Sequence, residues 1–485
     1  MTRKGPQRYL PRIFSLLYRI PLRILRSLRG SLDIRKFPSK KRTQFFVNIA
    51  IGVAIVILLH FLQHTRWGES TLDNFFDLFI RSESGKAVRV QNDVQNAPLL
   101  FVDIDHETYK QWGEPLITPR DRLARILQIL HDGEAKVIVL DILLEGQDCS
   151  PDNDRALLEV VRRIQLDPKR ITKIIVPQRI GMEGDLKKTL IDALPGLEPD
   201  SDKADSQNVF RASPTLSATG SDNIVRYWNL YERYLGKDGA EEIIWGYPIV
   251  AVLAAVEGDV RKLGAFEERL RKDEGRHRKG HELLKLADGK RIKLPYDKAH
   301  LYLQRLRFLL VPDRSNDASA EKGDLMGGNL FQTVIKYPEL EYYKGSFKDK
   351  IVVVGNSSPD VGDIQRTPVG DMAGMYVIGN SINTILAKEQ PSPPPVWLSI
   401  IMELAVIILA AYVFLYFTSL LAQIIASVLI LLVFGYFSYL WFLRTGVFLN
   451  FVFAIVGMGF HETVADFEEI IEKKGKTEYR QDIES

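Results

Sequence analysis

Four long apolar segments constrain this chain more than any other feature. The first, Phe45 to Leu62, carries no formal charge, and its length suits the hydrocarbon core of a bilayer. A cleavable signal peptide has a shorter apolar region followed by a small-residue cleavage site. Here His64-Thr65-Arg66-Trp67 follows instead, so residues 45–63 read as a retained anchor. Three further segments, 396–417, 420–442 and 447–465, come after the stiff spacer Pro391-Ser392-Pro393-Pro394-Pro395. The joins Thr418-Ser419 and Leu443-Arg444-Thr445-Gly446 are so short that these three spans must form antiparallel hairpins. The uncharged part of the last ends at Phe460, and Phe460, Val464, Phe467 and Ile471 carry one helical face onward.

Charge orients the arrangement. Between Arg3 and Arg42, lysines and arginines face the single acid Asp33, so residues 1–44 form a basic arm and place the N-terminus in the cytoplasm. Leu10, Ile13, Leu16, Leu17, Ile20 and Leu28 give the arm an apolar face at helical spacing, cut by Pro11 and Pro21. Two readings stay open: an amphipathic segment on anionic membrane lipids, or a disordered tail that only sets topology. With few aromatics among its aliphatics, nucleic acid is not an expected partner. Four spans then return the tail 466–485 to the cytoplasm and expose residues 64–395 on the extracytoplasmic (periplasmic) side of the inner membrane. The net charge of +3 says little, because the charge is segregated, and the lone Cys149 excludes an intramolecular disulfide.

Within 64–395, three apolar runs end in polar residues: Leu99 to Asp105, Val137 to Asp141 and Ile351 to Asn356. Such runs read as strands buried on both faces of a largely parallel sheet, so the fold class is an α/β extracytoplasmic domain plus four transmembrane helices, one before and three after. Residues 71–81 read as an amphipathic helix leaving the membrane. A helix from Thr118 (as cap, with Pro119 first) to Leu130 makes Leu99–Asp105 and Val137–Asp141 a βαβ unit. A helix over 152–163 and a strand at Ile174-Ile175-Val176 follow. The spacing also predicts a strand at Ile224–Trp228, a helix over 248–256, a strand within 303–311 and a helix over 376–388. Residues 184–221 read as long loops and 258–298 as a solvated, charged insertion.

Ligands of α/β sheets bind outside the carboxyl ends of the strands. That rule makes Asp103, Asp105, Arg120, Asp141, Asn356, Ser357, Asp363 and Arg366 the candidate ligand-binding residues. Carboxylates gathered there could hold a divalent cation, but helix capping accounts for them more simply, so no metal and no cofactor is expected. His277 and His281 stand four apart without a third zinc ligand nearby. No phosphate loop, nucleophile elbow or kinase signature is present, and Ser357 and Ser358 have no evident activating histidine, so no catalytic residue is assigned. Glu403, inside the second span, is an intramembrane acid that is either paired or wetted at an interface.

Several pieces together resemble the type-two CHASE domain, the extracellular sensory module associated with cyclases and histidine kinases. They are Phe101 to Asp105, Pro119-Arg120 with its helix, Gly133, Val137 to Asp141, Asp154 with Ala156-Leu157, Asn223 to Arg226, and Ile351 to Gly355 with Asp363 and Thr367-Pro368. The resemblance covers about residues 70–390 and implies a sensor, not an enzyme, that forms a homodimer. The cyclase, kinase or phosphatase domain usual in that family has no counterpart here, because about twenty residues after the last span cannot fold as an output domain. The reading that results is a membrane-anchored sensor that relays an unknown extracytoplasmic ligand or partner to a separate cytoplasmic effector. A structural subunit of a larger membrane complex, and a metal-dependent extracytoplasmic enzyme, are the alternatives.

Overall fold

The computed structural model describes residues 65–87, 98–145, 150–169, 172–183, 186–190, 208–218, 222–236, 241–272, 281–287, 291–295, 303–310, 334–387, 396–416 and 420–447, with isolated residues before 65 and at 148 and 289. The basic arm, most of the first apolar segment, Cys149, His277, the proline spacer, the fourth apolar segment beyond 447 and the tail lie outside them. The chain divides into two compact units, residues 66–393 with 439–449, and residues 1–65 with 394–438 and 450–485.

The first unit is built on six parallel strands: β1 (Leu99–Ile104), β2 (Val137–Asp141), β3 (Lys173–Pro177), β4 (Val209–Ala212), β5 (Val334–Lys336) and β6 (Ile351–Asn356), in the order β5-β1-β6-β2-β3-β4. The three apolar runs are thus adjacent central strands. The expected βαβ pair is parallel as foreseen, yet β6 arrives from far downstream and lies between its members. Every residue of β1 and β6 is buried, as the unbroken apolar runs require of strands covered on both faces.

Alternate residues of these strands feed two separate cores. Leu100, Val102, Ile138, Leu140, Val352 and Val354 pack under helices α3 (Arg120–Asp132) and α4 (Pro151–Gln165), reached after a short α2 (His106–Gln111). Leu99, Phe101, Val137, Val139, Ile351 and Val353 pack under α5 (Tyr247–Val256) and α7 (Gly374–Ala387). Along α3, Leu123, Ile126, Leu127 and Leu130 form the inward stripe, one face of a 3.6-residue repeat. By contrast α5 is buried all round, against the sheet and against α7 beside it. The unit also holds a three-stranded sheet of 303–305, 225–229 and 216–218, and a four-stranded sheet of 241–245, 231–235, 186–190 and 180–183.

Three expectations need correction. Residues 184–221 are not loops throughout, since 186–190, 209–212 and 216–218 are strands. The charged insertion is not simply solvated. Helix α6 (Arg261–Lys272) and the hairpin 281–285/291–295 bury Leu263, Phe266, Leu284 and Ile292, which their dense charge conceals. Lastly Thr118 does not cap α3, because Pro119 occupies the N-cap and the helix begins at Arg120.

Helix α7 lies closely over β1. A Cβ on Gly379 would fall inside van der Waals contact of the Phe101 ring atoms Cε1 and Cζ. Gly379→Ala, favourable in an ordinary helix interior, should therefore destabilise this domain by about 1–3 kcal/mol through overpacking. Urea denaturation of the full chain tests this, and a shift in midpoint toward higher urea would refute the close-packing argument.

Helix α1 (Arg66–Ala87) extends the helix expected over 71–81. Its Phe76 and Phe79 pack edge-on or tilted against Phe442, at 5.2 and 5.9 Å between ring centroids. Its Ser82 donates to the Tyr439 hydroxyl at 2.9 Å.

The second unit contains helix α8 (Val396–Tyr416) and most of α9 (Leu420–Thr445), which coincide with the second and third apolar segments. A Cβ on Gly52 would come within 2.8 Å of the Ile407 side chain, so the described part of the first apolar segment packs on α8. Among the described residues, no helix is long and apolar enough to cross a membrane.

Candidate functional site

The carboxyl edge of the sheet is organised by one register row. Asp103 on β1 pairs with Gly355 on β6, and Gly355 with Asp141 on β2. All three side-chain positions point to the α5/α7 face, and two strand spacings separate the two aspartates by about 10 Å. Gly355 must be small, because a Cβ there would stand 2.6 Å from the Met375 Cβ. The missing side chain lets α7 begin directly over the row.

Asp103, only 4% exposed, is the most enclosed carboxylate of the edge. Ser357 Oγ donates to it at 2.7 Å, Tyr376 Oη at 2.9 Å and the Ser357 N–H at 3.2 Å. Burial outweighs these bonds and pushes its pKa up to about 6. The same burial, with Asp103 beside it, raises the Tyr376 phenol well above its ordinary value.

Asp141 and Asp363 make a second group. No hydrogen bond reaches the Asp141 carboxylate among the described residues, and burial followed by the Asp363 charge raises its pKa well above the ordinary carboxylate range. Asp363 is also raised by burial, against the opposing bonds from Gln365 Nε2, at 2.9 Å, and the Gly374 N–H. Two half-buried carboxylates that feel each other's charge hold a proton more readily than either would alone. A side chain on Gly374 would collide with the Asp363 carboxylate. Tyr247, at the start of α5, donates to the Leu140 carbonyl at 2.7 Å, and burial and then Asp141 raise its phenol well above the ordinary value.

Of the eight expected site residues, the structure joins Asp103 with Ser357 and Asp141 with Asp363. Asn356 sits beside them but serves the backbone, its Oδ1 accepting from the Ser358 N–H at 2.8 Å. Asp105 caps α2, accepting from the Thr108 N–H at 3.0 Å, and pairs with Lys336 Nζ at 2.8 Å. Despite partial burial, the Lys336 and Thr108 bonds hold its pKa down. Arg120 is fully buried and opens the helix on the opposite face. Its Nη1 donates to the Leu143 carbonyl at 3.4 Å, and Asp154 lies 3.8 Å from its Nε, which makes it a fastener of the 143–154 loop. Arg366 is exposed on the hairpin β7 (Ile364–Thr367)–β8 (Gly370–Ala373), opposite Asp371.

Tyr247, Tyr376 and Gly374 were not singled out as site residues from the sequence, and Gly355 was read only as a strand end. The two tyrosines carry no local motif, since what places them is the packing of α5 and α7.

One expectation about chemistry also changes. Ser358 does meet a histidine, His106, whose Nδ1 lies 3.2 Å from Ser358 Oγ and 3.0 Å from Asp360 Oδ2. A nucleophilic relay needs two different ring nitrogens, one for the serine and one for the carboxylate. Here one nitrogen serves both, so the trio forms a polar knot at the rim without relay geometry. Among the described residues, no group of three or more His, Cys, Asp or Glu is placed to hold a metal ion. His281 begins a strand, and His277 lies outside the described residues.

The domain is thus a parallel α/β fold whose carboxyl edge gathers Asp103, Asp141 and Asp363. The chain matches the family model of the CHASE2 domain over residues 50–416 and belongs to that family, whose members are sensory extracellular domains and not catalytic ones. No curated protein and no solved structure matches it.

Proposed function

We propose that this chain is a membrane-anchored extracytoplasmic sensor that relays binding at the carboxyl edge of its sheet to a separate cytoplasmic effector. The observation that carries the anchoring is the surface of the unit containing α8 and α9. Phe61 is 72% exposed, Trp397 62%, Leu432 63% and Tyr436 65%, with Ile400, Ile401, Leu404, Val428 and Val433 similarly bare. Apolar surface of this extent is stable against lipid and aggregates in water. Parity supports the same reading. Three crossings beginning in the cytoplasm bring the end of the third back to the side of the domain, and Tyr439 and Phe442 pack on α1 of that domain.

The test is a labelling experiment on intact cells. With Cys149 replaced by Ala, a cysteine at the exposed Leu166 should react with a membrane-impermeant maleimide in cells and be protected in inverted vesicles. The opposite pattern would overturn the reading. Co-purification from crosslinked membranes then tests the effector: recovery of the chain alone would favour the structural-subunit alternative.

A further inference from the structure

A sensor has to displace something at its membrane-proximal elements when its distal edge changes. Helix α7 touches that edge and is linked to those elements through the segment it holds. At its start, Tyr376 donates to Asp103 and Gly374 meets Asp363 through its backbone N–H. One turn further along, it holds an extended strand-like segment, Leu306 to Leu310, using side chains where a sheet would use backbone. Asn380 Nδ2 donates to the Leu310 carbonyl at 2.6 Å, and its Oδ1 accepts the Leu310 N–H at 2.8 Å. Thr384 Oγ1 accepts the Arg307 N–H at 3.1 Å.

That segment and the strand before it send two arginines to the membrane-proximal parts of the unit. Arg305 Nη1 pairs with Asp73 Oδ1 at 2.6 Å, its Nη2 lies 3.5 Å from Asp77 Oδ1, and its guanidinium stacks 3.8 Å over the Phe76 ring, all on α1. Arg307, 1% exposed, places its guanidinium 4.8 Å from the Phe442 ring. The carboxyl edge, α7, the 303–310 segment, α1 and Phe442 are therefore joined by a continuous series of buried and half-buried contacts.

The composition of α7 fits a moving part better than a filler. Asn380, Ser381, Asn383 and Thr384 are each at most 2% exposed on a helix whose other residues are all apolar or glycine, apart from Tyr376. Apolar residues of similar size would pack there at no hydrogen-bonding cost. The Asn383 Nδ2 has no hydrogen-bond partner among the described residues, a standing cost in a helix whose only task is to fill space. Polar networks of this kind act as all-or-none fasteners, so they hand on a displacement instead of absorbing it.

We propose that α7 is the transmission lever of the sensor. A shift imposed at the Asp103/Asp141/Asp363 edge passes through Asn380 and Thr384 to segment 303–310, and through Arg305 and Arg307 to α1 and Phe442. The inference rests on the sensor reading and names how the signal leaves the site.

Hydrogen exchange on the full-length chain reconstituted in bilayer discs tests it without a ligand. Asp363→Asn perturbs the crevice end alone. It should change amide exchange across residues 72–82 of α1 by roughly 2- to 30-fold, the range of ordinary through-protein coupling. In an Asn380→Ala/Thr384→Val background the same replacement should leave α1 unchanged, while the hairpin 281–295 stays constant in all four chains. A silent α1 in the wild-type background, or an equal change in both backgrounds, overturns the lever. Should the double replacement fail to fold, Arg305→Lys/Arg307→Lys cuts the route at its far end with charge retained, under the same criteria. Neither arm depends on membrane orientation, so this result and the cell-labelling result can fail separately.

Discussion

Arg226→Ala should lower the stability of the unit formed by 66–393 and 439–449 by about 3–5 kcal/mol, the cost of breaking a buried ion pair from one side. Arg226 is 2% exposed and lies between two carboxylates. Its Nε and Nη2 donate to Asp77 at 3.0 and 2.9 Å, and its Nη2 and Nη1 donate to Asp222 at 2.6 and 3.0 Å. Burial opposes its charge, yet the bonds from Asp222 and Asp77 outweigh burial and hold its pKa above the ordinary guanidinium value. The two carboxylates differ in what they lose. Asp222 has a 35% exposed side chain and rehydrates once the arginine is gone. Asp77 is 4% exposed, and burial already raises its pKa although Arg226 pulls it down. Without Arg226, the cation left to it among the described residues is Arg305, at 3.5 Å.

Two consequences separate this from simple loss of packing. The penalty should shrink as pH falls, because an uncompensated Asp77 escapes by taking a proton. The joint replacement Arg226→Met/Asp77→Leu should recover most of the stability, since an apolar pair of similar volume avoids both desolvation costs. Pulse proteolysis in urea at pH 5 and pH 8 reads both. A penalty that ignores pH and is doubled in the joint variant would refute the account.

What the sequence made legible was set by where the information lies. The strands β1, β2, β3 and β6 are apolar runs with polar ends, a local signal, and all four are found. The insertion of β6 between β1 and β2 is a long-range choice with no local trace. Strand β5, three residues long, offers too little pattern to read, and β4 alternates half-buried with buried residues over four positions, within a stretch rich in turn formers. In the candidate site, the carboxylates were visible because they end strands. Their roles were not: Asp105 and Asp103 stand two apart on the same run, yet one caps a helix in reach of Lys336 and the other is sealed under Tyr376. That difference comes from where β1 ends. Asp103 is its last residue on the α5/α7 face, whereas Asp105 follows the strand and opens α2. Tyr376 reaches Asp103 only because Gly355 and Gly379 let α7 settle on the sheet. Arg120 and Arg366 were credible ligands by residue type alone; the structure places the first buried at the start of α3 and the second exposed on the β7–β8 hairpin.

Asp103→Asn should remove a pH dependence worth at most about 3 kcal/mol from the stability of the same unit. The Asp103 pKa of about 6 in the folded chain lies above its ordinary value of 3.8. The native state therefore holds the extra proton between those values, and the stability this group supplies is complete below pH 3.8 and lost as pH rises through about 6. Asparagine is neutral throughout and close in shape. Its oxygen can still accept the Ser357 N–H, while its amide meets the two hydroxyls of Ser357 and Tyr376, which rotate to accept instead of donate. The variant should thus match or exceed the wild type at pH 8 and fall behind it at pH 4. Asp141, Asp363 and Asp77, also raised by burial, remain in both chains and cancel in the difference. Carboxylates held low by their partners, such as Asp132 with Lys344 Nζ at 3.0 Å, cancel in the same way. Urea midpoints taken at half-unit steps from pH 4 to pH 8 give the difference curve directly. A flat curve would mean that Asp103 is ionised at the same pH folded and unfolded. The hydroxyls of Ser357 and Tyr376 would then have compensated its burial in full, and the crevice floor would carry a permanent charge at neutral and at mildly acid pH alike.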